Sequence, residues 1–218
     1  MKKLKSSLTN MVIVLTAVAL VSGGVLASVN HVTEGPIKEQ NAKQLSEGIK
    51  AVMDDDQLVV SATDTVALVV DGDTAHYIVH TANNKQGKML GCAVESTVMG
   101  FGGELKVLVG FDAQGNILDY SLLQHAETPG LGSKSADWFK KGNAGDITGM
   151  NPGQGELIVS KDGGQVNAIT ASTITSRAFL AAVNKAYAAF AAAEQAAPKA
   201  AAAEAPEAAE EETPSANE

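Results

Sequence analysis

Cysteine is almost absent from the sequence: Cys92 is the only one in 218 residues. A single cysteine excludes an intramolecular disulfide and any zinc or iron–sulfur site built from several cysteines. The histidines offer no substitute, because only His76 and His80 lie close in sequence and no carboxylate stands between them. We therefore predict no metal site, and we expect Cys92, within the largely apolar run Met89–Val98, to be buried.

Signatures of nucleotide triphosphatases and hydrolases are also missing. The chain contains no Gly-x-x-x-x-Gly-Lys loop and no Gly-x-Ser-x-Gly element. The glycine cluster Gly100–Gly103 falls between predicted strands instead of at a strand-to-helix turn, so it is weak evidence for dinucleotide binding. With a formal net charge of -9, the chain lacks the basic surface that nucleic-acid binding requires. No acid/base constellation is present, so we expect no turnover by this chain alone.

Charge is missing from one long stretch near the N-terminus. Leu8–Asn30 contains no charged residue and is rich in Val, Leu and Ala; about twenty such residues span a bilayer as a helix. Lys2, Lys3 and Lys5 precede it, and by the positive-inside rule they place the N-terminus in the cytoplasm and the rest of the chain outside. The alternative is a cleaved signal peptide with Val25–Ala27 as its cleavage site. Because the apolar core of a signal peptide is usually about 7–15 residues, the longer run favours a retained anchor.

The C-terminal end has almost no large apolar side chain. Ala191–Glu218 is mostly Ala, Glu and Pro, and it carries seven acidic residues and one basic residue. Such a segment cannot bury enough surface to offset its ordering entropy, and Pro198 disfavours continuation of the preceding helix. The sequence thus predicts three parts: a cytoplasmic stub and transmembrane anchor (1–30), a globular domain (31–197) and a disordered acidic tail (198–218).

The middle of the chain predicts an α+β fold, in which the single transmembrane helix is followed by a mixed, largely antiparallel sheet with flanking helices. Pro36 is expected to open a helix that ends near Met53. A second helix from Thr173 to about Phe190 has an apolar stripe typical of core packing. Turn-rich segments separate the strands. The predicted strands are Leu58–Ala62, Val66–Val70, Ala75–His80, Met89–Val98, Glu104–Asp112, Ile117–Leu123 and Glu156–Ser160.

A run of small and hydroxyl side chains precedes the last helix. Residues 167–173 read Asn-Ala-Ile-Thr-Ala-Ser-Thr. Such a run lets a bulky anion approach the backbone, and the free amides and positive dipole end of the helix stabilise it. Thr173 places a nucleophilic hydroxyl there. The simpler interpretation is a Ser/Thr-rich N-cap, which is common at helix starts.

The order of these residues resembles the flavinylation motif Asp-x-x-Ser/Thr-Gly-Ala-Thr. That motif belongs to the FMN-binding subunits of the Rnf (Rsx) and Na+-translocating quinone reductase complexes. The chain departs from it at Asn167 (Asp), Ala171 (Gly) and Ser172 (Ala). Residues 125–132, His-Ala-Glu-Thr-Pro-Gly-Leu-Gly, look like the His-x-Glu-Thr-Pro-Gly-Leu-Gly loop of the same family. The resemblance runs from the anchor to about Phe190, and the lysine-rich start and single anchor are most like the G subunits of the Rnf complex.

The resemblance implies a cofactor and its attachment. In this family FMN is held covalently by a phosphoester to the last Thr of the motif, here Thr173. A separate Mg2+-dependent FAD:protein FMN transferase installs it, with FAD as donor. Trp138 and Phe139 are candidates for stacking on the flavin, and the alternative for each is a packing role in the core. The other residues expected to bind the cofactor are Thr170, Ala171, Ser172, Glu127, Thr128, Gly130, Leu131 and Gly132.

The resemblance also implies a cellular location and a role. We expect an electron-transfer flavoprotein of the inner membrane whose domain lies on the periplasmic side. There it would relay electrons among the other subunits of an Rnf-type complex that couples reduced ferredoxin and NAD to ion movement. Two alternatives remain: the C subunit of a Na+-translocating NADH:quinone reductase, or a membrane-anchored scaffold module that has lost its flavin.

Overall fold

A computed structural model describes residues 8–53, 58–70, 73–86 and 89–203. These residues form two compact units, one up to Ser46 and one from Glu47 onward. A five-stranded sheet lies in the second unit, and the α+β prediction is confirmed. The elements in chain order are α1 (Leu8–Met53), β1 (Val59–Val70), β2 (Asp73–Asn83), β3 (Met89–Met99), β4 (Glu104–Asp112), β5 (Ile117–His125), α2 (Ser135–Trp138) and α3 (Thr173–Ala203).

The described part of the first unit, residues 8–46, belongs to α1 and is almost entirely exposed. Helix α1 is long and apolar enough to cross a membrane. Pro36 lies inside this helix instead of opening a separate one, so the predicted break is wrong. Proline removes one backbone donor and costs about 3 kcal/mol in a helix interior. The residues around Pro36 are exposed, so the carbonyl that lacks its helical partner can be solvated, and the flanking turns continue the helix.

The sheet is a meander in the order β1-β2-β3-β4-β5, with every neighbouring pair antiparallel. The predicted hairpin between β4 and β5 is confirmed: Asp112 Oδ1 accepts the backbone N–H groups of Gln114 and Asn116, both at 2.8 Å. The first two predicted strands are in fact one edge strand, β1. Its polar middle reaches solvent, which suits a strand at a sheet edge.

The predicted strand Glu156–Ser160 does not form. Only Val159 pairs, in an isolated parallel bridge with Val166. The chain then makes a 3-10 turn over Ser160–Asp162 and reverses at Gly163, which has a positive φ of 89°. The apolar residues Leu157 and Val159 of this segment are nevertheless buried, so the alternation reports packing into the core and not membership of the sheet.

Helices contact both faces of the sheet within the second unit. Alternate residues of a strand point to opposite faces. Val107, Val109 and Phe111 of β4 belong to the core shared with α3. On the other face, a methyl group at Gly48 would contact Leu108, so the last turns of α1 lie against the sheet there. The sheet therefore has α3 on one face and the last turns of α1 against part of the other.

The segment between β5 and α3 is mostly irregular but well anchored. Phe139, just after α2, is fully buried and stacks on Phe179 of α3, with ring centroids 4.3 Å apart and planes 6° from parallel. Such anchors fix the loops that surround the start of α3. At its other end α3 continues through Pro198 to Ala203, beyond the predicted stop, because the alanine-rich sequence has high helix propensity. The rest of the predicted tail, residues 204–218, lies outside the described residues.

Candidate functional site

A cleft of about 300 Å³ opens at the start of α3. Three segments form it: the turn between β3 and β4, the loop after β5, and the first turn of α3. Its lining residues are Phe101, Glu127, Thr128, Leu131, Gly132, Ala171, Ser172, Thr173, Ile174 and Thr175.

Thr173 is the first residue of α3 and its side chain is half-buried at the cleft. Its Oγ1 accepts a hydrogen bond from Lys161 Nζ at 3.1 Å. The neighbouring hydroxyls are less accessible, because Ser172 is 8% exposed and Thr175 only 2%. Among these three hydroxyl groups, that of Thr173 is the best placed to react with a group entering from solvent.

The first residues of α3 also bring backbone amides to the cleft, because Thr173, Ile174 and Thr175 line it. The amide of Ser176 donates to the carbonyl of Ser172 at 3.0 Å, which closes the first turn of α3. The amides of residues 173–175 precede this bond and belong to the set that a helix cannot satisfy internally. With the positive end of the helix dipole, they suit an anion such as the phosphate of FMN.

The turn that leads into α3 depends on an unusual backbone conformation. Ala171 has φ of 61°, the only positive φ of a non-glycine residue among those described. The amide of Ser172 then donates to the carbonyl of Ile169 at 3.0 Å, which closes the turn. The related motif has glycine at this position, and glycine adopts the left-handed region without strain.

Asn167 holds this turn against the loop after α2. Its side-chain Nδ2 donates to the backbone carbonyl of Ala144 at 2.8 Å. Its backbone carbonyl accepts the indole N–H of Trp138 at 2.9 Å. An aspartate, the residue of the related motif, has no N–H to donate to Ala144. The substitution by asparagine is therefore matched to its local surroundings.

Glu127 joins the three segments of the site. Its carboxylate is buried, with the residue 5% exposed. Oε1 accepts the amide of Phe101 at 2.8 Å, and Oε2 accepts the hydroxyl of Thr175 at 2.8 Å. Methyl groups at Gly100 or Gly132 would overlap this carboxylate, which explains why both positions are glycine. Glu127 thus fixes the shape of the cleft through contacts with the protein itself.

The aromatic side chain in the cleft is Phe101, which sequence reasoning missed. Phe101 lines the cleft and is 66% exposed. Phe139 packs in the core against Phe179, and the indole N–H of Trp138 donates to the backbone carbonyl of Asn167. Neither residue lines the cleft. A large aromatic flanked by glycines, at Gly100–Gly103, was the available signal, because an exposed side chain on a tight turn has little packing role.

The cleft brings together most of the predicted cofactor-binding residues. Thr170 and Gly130 are the predicted residues that do not line it: Thr170 is exposed, and the amide of Gly130 donates to Ser133 Oγ at 2.9 Å in its own loop. Ile174 and Thr175 line the cleft although they were not among the predicted binding residues.

All the residues that line the cleft lie within residues 100–188, which match the model of the FMN-binding domain family. The second unit is therefore of the FMN-binding class. Residues 1–52 match the model of the RnfG N-terminal region. The chain belongs to the family of G subunits of ion-translocating oxidoreductase complexes. The relative from Shewanella piezotolerans is 30% identical over 191 residues, which cover 84% of this chain and 89% of the relative. The relative from Shewanella baltica is 33% identical, and the match covers 77% of this chain and 82% of the relative. The relative from Vibrio parahaemolyticus is 34% identical, and the match covers 76% of this chain and 81% of the relative.

Proposed function

We propose that this chain is the flavin-carrying subunit of an Rnf-type ion-translocating electron-transfer complex, with FMN bound through a phosphoester to Thr173. The observation that carries the proposal is the position of the Thr173 hydroxyl. It lies at the cleft, at the N-terminus of α3, and within the stretch that matches the FMN-binding family. The names of the relatives favour the Rnf complex over a quinone reductase.

The residues of the cleft fit the two parts of FMN. The amides of residues 173–175 and the Lys161 ammonium suit the phosphate. Three exposed apolar side chains at the cleft suit a flat apolar ring: Phe101 (66% exposed), Leu131 (41%) and Ile174 (54%). When bound, the flavin supplies the redox chemistry, and the chain supplies its position and surroundings. Exposure of the apolar side chains leaves this end of the domain open to an electron-transfer partner.

Covalent attachment has a physical rationale outside the cytoplasm. The chain has no Rossmann-type glycine fingerprint to hold a dinucleotide. A cofactor held only by this open cleft would equilibrate with a large external volume, whereas a phosphoester removes that equilibrium. A Mg2+-dependent transferase that uses FAD as donor would form the bond.

The proposed topology places the domain on the periplasmic side of the inner membrane. Support comes from Lys2, Lys3 and Lys5 before an apolar helix that is long enough to span a bilayer. Because Cys92 is buried, an introduced cysteine can be labelled selectively. In cells with a permeabilised outer membrane, an impermeant maleimide should label Gln154→Cys, and Ser6→Cys should stay unlabelled until the cells are lysed. The reverse pattern would refute the topology.

Attachment is tested by expressing variants with the cognate transferase. Wild type should show one added FMN by intact mass and a fluorescent band after denaturing electrophoresis. Thr173→Ala should lose both signals, and Thr173→Ser should keep them because it retains a hydroxyl. Ser172→Ala is the matched control and should remain fluorescent, since Ser172 is buried.

The outcomes separate the candidate functions. A fluorescent Thr173→Ala band would place the flavin on another residue. A wild-type protein without fluorescence in the presence of active transferase would favour the scaffold interpretation over the flavoprotein.

A further inference from the structure

The ammonium group of Lys161 is placed beside the hydroxyl oxygen of Thr173. Lys161 lies in the 3-10 turn Ser160–Asp162, and its Nζ donates to Thr173 Oγ1 at 3.1 Å. The two residues are 12 positions apart in the sequence, and the lysine lies outside both motif-like segments, 125–132 and 167–173. The contact arises from the fold.

The turn that carries Lys161 is fixed to the same helix as Thr173. Arg177, four residues after Thr173 and so on the same side of α3, binds both carboxylate oxygens of Asp162. Its Nε lies 2.6 Å from Oδ2 and its Nη2 lies 2.7 Å from Oδ1. Such a two-point pair holds geometry as well as charge.

Backbone contacts reinforce the turn from its other side. The amide of Ser160 donates to the carbonyl of Val166 at 2.7 Å, and the amide of Val166 donates to the carbonyl of Ile158 at 3.1 Å. Val159 and Val166 are each 1% exposed and anchor the turn in the core. Lys161 therefore has an exposed side chain on a rigid base.

The local charges leave the Lys161 ammonium available for an anion. Both oxygens of Asp162, its neighbour in sequence, are occupied by Arg177. The hydrogen bond of Lys161 goes to a neutral hydroxyl instead. Lysine is a compact, rotatable point charge that is well suited to phosphate oxygens.

We propose that Lys161 is the counter-ion of the phosphodiester formed on Thr173, and that it accelerates attachment by stabilising charge on the phosphate. This inference rests on the proposed attachment at Thr173. An ammonium 3.1 Å from Oγ1 is within reach of the oxygens of a phosphorus atom bonded to Oγ1. Because Nζ donates to an Oγ1 lone pair, the hydroxyl proton remains free to leave.

The attachment step is a phosphoryl-group transfer without redox change. Thr173 Oγ1 attacks the phosphorus on the FMN side of the FAD pyrophosphate, and the Oγ1–P bond forms. The P–O bond to the AMP phosphate breaks, and AMP leaves with that electron pair. The hydroxyl proton passes to water. The product is a phosphodiester with one negative charge beside the Lys161 ammonium.

The test measures the rate of FMN incorporation into the full-length chain by purified transferase and FAD. Lys161→Met should react roughly tenfold more slowly, because it removes a charge-assisted hydrogen bond to the phosphate that exposure to solvent only partly weakens. Lys161→Arg should react at close to the wild-type rate. The matched control is Lys141→Met, an exposed lysine that does not line the cleft, and it should match wild type.

Chemical rescue separates charge from folding. The cysteine of Lys161→Cys can be modified selectively because Cys92 is buried. Aminoethylation restores a positive charge at nearly the length of lysine, whereas carbamidomethylation adds a neutral group of similar size. We expect the aminoethylated protein alone to recover the rate.

The outcomes are distinguishable from failure of the proposed function. Equal rates for the aminoethylated and carbamidomethylated forms, or a wild-type rate for Lys161→Met, would overturn the role of Lys161 and leave attachment intact. Incorporation into Thr173→Ala would overturn the attachment itself.

Discussion

At residue 171 the backbone adopts a conformation that its side chain disfavours. The left-handed φ of 61° at Ala171 orients the turn that delivers Ser172 and Thr173 to the cleft. For a residue with a Cβ, this region costs about 1–2 kcal/mol. Strain of this kind persists where the surrounding structure determines the conformation, and it is common at functional sites. Here the hydrogen bonds of Ser172 and Ser176 determine it.

Replacement of Ala171 by glycine should therefore stabilise the protein. Relief of strain outweighs the larger entropy of glycine in the unfolded chain, so Ala171→Gly should raise the free energy of unfolding by about 0.5–1 kcal/mol. Denaturant unfolding measures this change. The control Ala188→Gly, at an exposed position in α3, should instead cost about 1 kcal/mol. Destabilisation by both substitutions would show that residue 171 is not strained.

The Glu127 carboxylate leaves no room at Gly132. A methyl group there would overlap Glu127 and press on Thr175 Oγ1, both of which are buried. Gly132→Ala should destabilise the domain by about 1–3 kcal/mol through overpacking, and it should slow FMN incorporation because the cleft is distorted. Thermal unfolding and in-gel fluorescence report the two effects. Gly155→Ala, which has open space and no positive φ, should leave both unchanged, and equal behaviour of the two variants would contradict this role of Glu127.

At the scale of elements, the sheet carries a polar cluster on the face opposite α3. Glu95 lies beside Leu108 in the β3–β4 register, so it shares the face that meets the end of α1. Its carboxylate oxygens contact His80 Nε2 at 2.8 Å and Lys106 Nζ at 2.5 Å. Burial alone would raise the pKa of Glu95, but the bonds to His80 and Lys106 outweigh it and hold the pKa below its ordinary value.

This lowered pKa makes stability depend on pH. A carboxyl group with a depressed pKa in the folded state stabilises the protein above its unfolded pKa of about 4.3, and the contribution is lost as pH falls through the folded pKa. The free energy of unfolding of wild type should therefore fall more between about pH 5 and 3 than that of Glu95→Gln. The control Glu104→Gln, at an exposed position of β4, should follow wild type. Parallel pH profiles for wild type and Glu95→Gln would exclude the cluster as a source of acid sensitivity.

The elements also show what local sequence could and could not predict. The β4–β5 hairpin was predictable because Asp112–Asn116 carries its own turn chemistry. Thr173 and the loop after β5 could be predicted as parts of the site because the order of their residues resembles the family motifs. The Glu127 contacts were not, because they join residues 26 and 48 positions apart through tertiary packing. Apolar alternation at residues 156–160 misled for the same reason: it reflects burial in the core and not strand pairing.

At the scale of the whole molecule, function is divided along the chain. The first unit offers an apolar helix to a membrane, and the second holds the sheet and the cleft. The buried residues of the second unit begin at the end of α1, with Gly48, Ile49, Val52 and Met53. At the other end, Ala193 is the last residue that packs on the core among the side chains of α3 that the structure describes. The polar and acidic residues beyond it contribute net charge, and solubility depends on such charge more than folding does.

These limits predict which fragments remain functional. A fragment of residues 31–197 lacks most of the apolar run and the acidic tail but keeps every packed residue just named, so it should be soluble, unfold at nearly the wild-type midpoint and accept FMN at Thr173. A fragment of residues 54–197 exposes the sheet face that Ile49, Val52 and Met53 cover. Burial of each side chain of this size stabilises the fold by about 1.5–3 kcal/mol. The fragment 54–197 should therefore be markedly less stable and incorporate less flavin. Thermal unfolding and incorporation with purified transferase and FAD test both fragments. If the fragment 54–197 were stable and accepted flavin, the end of α1 would be dispensable. If the fragment 31–197 failed to incorporate FMN, the domain boundary would lie further out, because residues outside that range would be needed to shape or present the cleft.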